Sequence, residues 1–255
     1  MKISDSKLPV FMHDPITNKI LREAASAIPK GTRVYIVGGA GRNAVYYKLF
    51  RKSLPQRDYD LLVMGDLKKF IANLRKIGFT YGKIIRKDEI VVKKKRIPKP
   101  EHIHRDYLYL DAHASNGKTI IDNLKKESSF TFSSFAINLK DVNSKNWYKN
   151  MVSLPTALTD IRAKRIRVNS LSHPALLYST LRFMSLGFKP PPKTEVQLLL
   201  KHLGKLPKKR FDRNMDKIFD YVGGENKARK LAKKLGVKED IFNWKTIEKL
   251  RRASK

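Results

Sequence analysis

Asp58 and Asp60 stand two residues apart at the head of an apolar run, Asp58-Tyr59-Asp60-Leu61-Leu62-Val63. On a strand, side chains two apart leave the same side, so both carboxylates point together and can share a divalent ion. Paired hard oxygens suit Mg²⁺ or Mn²⁺. Magnesium in particular takes one or two carboxylates and completes its shell with water and substrate phosphates. About twenty residues earlier, the run Val34-Tyr35-Ile36-Val37 closes on Gly38-Gly39. Such a pair lets the backbone approach a triphosphate and opens a helix whose positive end faces it. Together the motifs imply metal-assisted nucleotidyl transfer. A third acid, Asp111, ends the alternating segment Tyr107-Leu108-Tyr109-Leu110-Asp111-Ala112-His113 on its polar face, with Asp106 and Asp122 as fallbacks.

The elements around these residues alternate. Apolar spacing predicts a helix over Pro15–Ile28 capped by Asp14, and a buried strand over 33–37. A helix to about Arg51 follows, then the Asp58–Val63 strand and a helix capped by Asp66 and stopped by Gly78. Strands are expected at Phe79–Ile85, Ile90–Lys94 and Tyr107–His113. Between the last two lies a basic segment, Lys93-Lys94-Lys95-Arg96, with Pro98-Lys99-Pro100 and His102-x-His104; two prolines rule it out as a central strand. After about residue 155 the pattern turns helical. One helix starts near Pro174 and ends at Gly187, and Pro190-Pro191-Pro192 is a stiff connector. Helices follow over Glu195–Leu203, Lys208–Val222 and Glu225–Leu235.

Composition narrows the partners. The chain of 255 residues carries 55 Lys+Arg against 23 Asp+Glu, a formal charge of +32. That excess calls for a polyanion, and nucleic acid is the first candidate. A hydrophobic fraction of 41% supports a folded core. Cysteine is absent, which excludes disulfides and thiolate metal sites. The polar start, Met1-Lys2-Ile3-Ser4-Asp5-Ser6-Lys7, lacks the apolar stretch of a signal peptide, so a soluble, cytoplasmic protein is expected. For Tyr46, Tyr47 and Tyr109 base stacking is an option, but packing is the plainer reading. His102, His104 and His113 lack the spacing of a zinc site.

Five segments in order carry a resemblance. They are Val37-Gly38-Gly39-Ala40-Gly41-Arg42-Asn43, Arg57–Val63, Ser134–Asn138, Leu158–Arg167 and Leu181–Phe188. Together they resemble the bacterial poly(A) polymerase and CCA-adding tRNA nucleotidyltransferase family of the polymerase-beta-like superfamily. The likeness runs from about residue 30 to 190, and arguably to 236. It implies an α+β fold: a mixed-sheet nucleotidyltransferase head over 1–150, then a helical neck and a basic, helical RNA-binding region over 151–255. It also implies that Asp58, Asp60 and Asp111 hold two divalent ions about 3.5–4 Å apart, one of them activating an acceptor 3′-hydroxyl. Gly38, Gly39, Arg42, Asn138 and Arg182 would contact the nucleoside triphosphate.

RNA would be gripped by Lys93, Lys94, Lys95 and Arg96, and by Lys208, Lys209, Arg210, Arg213, Lys230, Lys233 and Lys234. Residues 201–255 hold 18 basic against 7 acidic side chains, a pattern for sequence-blind phosphate contacts.

Departures from the family pattern are concentrated in base reading. Where the family's neck helix begins Glu-Asp-x-x-Arg, this chain has Ser172, His173 and Leu176, and the next arginine position is Ser179. The family's Arg-Arg-Asp is Phe132, Ser133 and Ser134, and Asn43 replaces the aspartate of Gly-Gly-x-Val-Arg-Asp. About sixty residues follow the neck, where family members carry further helical domains. The expected function is template-independent addition of nucleotides to an RNA 3′ end with relaxed base choice. The alternative is a non-catalytic RNA-binding protein, or a subunit of a larger protein or ribonucleoprotein assembly, on the same scaffold. Nucleotidylation of a small molecule fits the aspartates but leaves +32 unexplained.

Overall fold

The structure, a computed structural model, describes residues 15–52, 54, 58–86, 88–95, 106–142 and 144–253. The helix cap expected at Asp14, together with Arg57, Arg96, the Pro98–Pro100 run, His102 and His104, lies outside the described residues. The chain forms two compact units: residues 1–124 with 133–154, and residues 125–132 with 155–255.

The first unit runs α1 (Pro15–Ser26), β1 (Arg33–Val37), α2 (Gly38–Phe50), β2 (Tyr59–Met64), α3 (Leu67–Lys76), β3 (Thr80–Arg86), β4 (Glu89–Lys95) and β5 (Tyr107–Ala114). Then come α4 (Ile120–Glu127), β6 (Phe135–Asn138) and β7 (Val152–Ser153). Among the described residues the strands make one seven-stranded mixed sheet in the order β3-β4-β5-β2-β1-β6-β7. The β2–β5 ladder is parallel, whereas β1–β2, β1–β6, β3–β4, β4–β5 and β6–β7 are antiparallel. A parallel pair needs a long crossover; α3 and the β3–β4 hairpin supply it.

Alternation divides the sheet into two faces. Val34, Ile36, Leu61, Val63, Leu108, Leu110 and Ala112 share one face and are fully buried. Helix α3 packs on β5, burying Leu67, Phe70, Ile71 and Leu74 at helical spacing. Asp66 caps it, accepting the Lys69 N–H at 2.9 Å, and the helix stops before Gly78 as the sequence leads one to expect. The other face carries Asp60, Asp111, Tyr107, Tyr109 and His113.

The basic segment is a correction in part. The strand expected to Lys94 is present and runs on through Lys95, but it is an interior strand, β4, bonded to β3 and β5. Alternation then separates Lys93, Lys94 and Lys95. The Lys94 ammonium turns to the apolar face, bonding Glu23 at 2.5 Å and the Ile77 carbonyl at 2.8 Å. It thus ties β4 to α1 and to the end of α3. Lys93 and Lys95 stay on the face of the aspartates.

The second unit contains α5 (Ala157–Arg162), α6 (Leu176–Ser185), α7 (Lys193–Leu203), α8 (Lys208–Val222), α9 (Glu225–Lys234) and α10 (Trp244–Arg252). The sequence reading had no counterpart for α10. Its core is aromatic: Phe132 lies 4.7 Å from Phe183 edge-on, 4.7 Å from Phe188 and 5.3 Å from Phe130. Asp160 is buried beside it, accepting the Thr131 hydroxyl at 2.6 Å and facing the Arg167 Nε at 3.4 Å. Arg251 ties α10 to the turn after α7, donating to the carbonyls of Gly204 and Leu206 at 3.1 and 2.6 Å.

Phe132 is 0% exposed, so Phe132→Ala leaves a cavity among packed rings. The expected loss is about 3–5 kcal/mol, read as a shifted midpoint in urea unfolding followed by Trp244 fluorescence.

Candidate active site

Two adjacent strands build the acidic centre. The parallel register of β2 on β5 pairs Asp60 with Asp111, and Leu62 with His113. Paired residues of a ladder project to the same side, so two carboxylates stand next to one another across a strand spacing of about 4.8 Å. Asp58 precedes β2 and its charge bears on both partners. The structure therefore brings the three aspartates named from sequence into one electrostatic group.

Sequence reasoning missed Glu89. It pairs with His113 through the β4–β5 ladder, and its charge weighs on Asp111. No local pattern marks it, because cross-strand register is not written within one strand. The fallback Asp122 is elsewhere, accepting from the N–H and hydroxyl of Thr119 at the start of α4.

Burial and then the carboxylates of Asp58 and Asp111 push the Asp60 carboxyl up from 3.8 to about 6, against the opposing pull of His113 and the Gly39 N–H. Burial and then Glu89 raise Asp111, with Asp58 adding to them and His113 opposing. One oxygen of Asp111, Oδ1, is buried without a hydrogen-bond partner. A buried, unpartnered carboxylate oxygen is costly unless something cationic meets it. The donor set is all hard oxygen, which suits Mg²⁺ or Mn²⁺. Among the described residues no three acidic or histidine side chains close on one point as a ready-made metal cage.

The glycine pair bears directly on this centre. Val37, the last residue of β1, pairs with Asp60, and the chain then turns into α2 through Gly38 at φ +60°. A Cβ on Gly38 would collide with Asp60 Oδ2. The Gly39 N–H, expected to face phosphate, is directed at the Asp60 carboxylate. The pair thus seats the acid against the positive end of α2.

The remaining residues divide. Arg42 is buried, and its Nε and one terminal nitrogen donate to Asn43 Oδ1 at 3.0 and 2.8 Å. Asn138 pairs with Tyr35 on β1 and accepts the Lys140 N–H at 3.0 Å, capping a short turn. Arg182 belongs to the second unit, where its guanidinium stacks 4.3 Å from the Tyr221 ring. Lys209, Arg210, Arg213, Lys230, Lys233 and Lys234 are exposed on α8 and α9, and exposed Lys208 pairs with Asp212.

His173 and Leu176, which the resemblance aligns with base reading, lie in the second unit. Leu176 is 3% exposed in the helical core. The His173 Nδ1 accepts the Ala175 N–H at 3.1 Å. Phe132 is the centre of the aromatic cluster.

No protein-family model and no curated protein matches this sequence. Solved structures do match. One is the Thermotoga maritima CCA-adding enzyme complexed with tRNA, at 17% identity and TM-score 0.61, over 89% of this chain and 53% of that one. A CCA-adding enzyme with ATP matches at 19% identity and TM-score 0.66, over 93% of this chain and 55% of that one. A CCA-adding enzyme with CTP matches at 19% and 0.61, over 88% and 51%. The chain spans about half the length of these structures, whose fold it shares.

The raised Asp60 carboxyl predicts a pH-dependent stability. Between 3.8 and about 6 the folded state holds a proton that the unfolded state has lost. Stability in chelator should therefore fall as pH rises from about 4 to about 6, by roughly 2 kcal/mol given partial solvent access, and then level. Urea unfolding of Asp60→Asn across that range should show a smaller fall, the remainder coming from the raised Asp111 carboxyl.

Proposed function

We propose that the protein is a template-independent RNA nucleotidyltransferase that adds nucleotides to an RNA 3′ end. The observation that carries this reading is the pairing of Asp60 with Asp111 beside the Gly38 turn, with one Asp111 oxygen left unsatisfied. Asp58, Asp60 and Asp111 would hold divalent metal. When bound, such ions lower the pKa of an acceptor hydroxyl and offset charge on the α-phosphate and pyrophosphate.

The chain's own residues supply position and access. Gly38 leaves the room that the Asp60 carboxylate fills, which holds this acid at the start of α2 where a metal-bound triphosphate would meet it. Arg42, steadied by Asn43, would add positive charge at the same helix start. ATP and CTP in the matching CCA-adding enzymes support nucleoside triphosphates as substrates, and the tRNA complex supports RNA as acceptor.

Base choice should be relaxed. Buried Leu176 offers no hydrogen bond to a base edge, and His173 is bent onto its own backbone. The exposed cations of α8 and α9 would contact phosphates without reading sequence.

Labelled ATP, CTP, GTP or UTP with Mg²⁺ or Mn²⁺ and short RNAs tests the reading. Ladder growth is expected with more than one nucleotide, and Asp58→Ala plus Asp60→Ala should abolish it. Salt-sensitive RNA binding with no growth under any nucleotide would instead identify a non-catalytic RNA-binding protein. Growth that persists in the double variant would move the site away from these acids.

A further inference from the structure

We infer that the face of β4 and β5 bearing Lys93, Lys95, Tyr107 and Tyr109 seats the single-stranded 3′ end of an RNA and leads it to Asp111. The inference rests on the aspartates being the reaction centre.

The register makes this face. The β4–β5 ladder pairs Lys95 with Tyr107, Lys93 with Tyr109, Val91 with Asp111 and Glu89 with His113. All eight project to one side, so cations and aromatic rings lie at one end and carboxylates at the other. Along the strand, Tyr109 lies about 7 Å and Tyr107 about 13 Å from Asp111. The two rings are 6.5 Å apart and tilted by 58°, and the Lys93 ammonium sits 4.6 Å over Tyr107. Both tyrosines are half-buried and Lys95 is exposed.

Glycine leaves room at the edge of the nearer ring. At the β3 bulge, a Cβ on Gly82 would lie 3.8 Å from Tyr109 Cδ1 and 3.3 Å from Val91 Cγ1. A side chain at this position would pack against Val91 and the edge of the Tyr109 ring.

This juxtaposition fits one occupant. Bases stack on tyrosine whatever their identity, while lysines neutralise the phosphates between them. The order of charges gives the strand a direction. Phosphates belong beside Lys93 and Lys95, and only a terminus without a further phosphate belongs beside Asp111 and Glu89. With Asp58, Asp60 and Asp111 as the reaction centre, that terminus is the acceptor 3′-hydroxyl. The sheet order β4-β5-β2-β1 also leaves the glycine turn on the far side of Asp60. Acceptor and triphosphate would thus reach the acids from opposite flanks.

The test uses the full chain with Asp60→Asn to prevent turnover, and a short RNA ending in 4-thiouridine. Irradiation should cross-link the terminal base to the peptide containing Tyr107–His113. Adding Tyr109→Ala should weaken RNA binding about tenfold and remove that cross-link, whereas Tyr109→Phe should keep both. Lys93→Gln with Lys95→Gln should lower the slope of log affinity against log salt by about 1.4. Cross-linking confined to residues 201–253, no cross-link despite bound RNA, or no RNA binding at all overturns the inference. If Tyr109→Ala does not fold by circular dichroism, the cross-link position in the Asp60→Asn protein decides alone. Wild-type extension without a cross-link at this peptide refutes the seat and leaves the transferase standing. The reverse pattern keeps the seat and refutes the transferase.

Discussion

The parallel ladder between β2 and β5 sets Asp60 beside Asp111, and like charges opposite one another on a sheet repel. Burial sharpens that repulsion and lifts both carboxyl groups above their ordinary range. An apolar sheet face and two packed helices must hold the strands together against it. Leu61, Leu108, Leu110 and Ala112, on the reverse of the same two strands, supply that cohesion. The arrangement is thus a local conflict maintained by the surrounding core.

Gly38 extends this constraint into α2. Its left-handed turn and missing side chain let the helix start meet the Asp60 carboxylate directly. The effect is a compact acidic centre backed by a positive helix end, with Arg42 and Asn43 locked together one turn along. In the helical unit, Leu176 and Phe132 stabilise the bundle through burial.

Much of this was legible in the residues themselves. The Asp-x-Asp strand, the glycine turn, the Asp66-capped helix and the helix Lys208–Val222 follow from periodicity, capping and turn chemistry, all properties of a few neighbouring residues. The prolines at 98 and 100 argued against a central strand over the basic segment, yet Lys93–Lys95 end one. Hydrogen bonding on both sides of β4 overrides that local signal. Lys94 shows the consequence, since one step of alternation sends it to Glu23 while its neighbours stay with the tyrosines.

By itself, the sequence determined which acids are available, that two of them leave a strand together, that a glycine turn lies upstream, and that the surface is strongly cationic. These depend on spacing and on residue type. Only the tertiary structure decided that Asp111 is the neighbour of Asp60, that Glu89 joins them, and that Leu176 is sealed in a core. Those facts depend on strand order and register, which are fixed by contacts between segments distant in the chain.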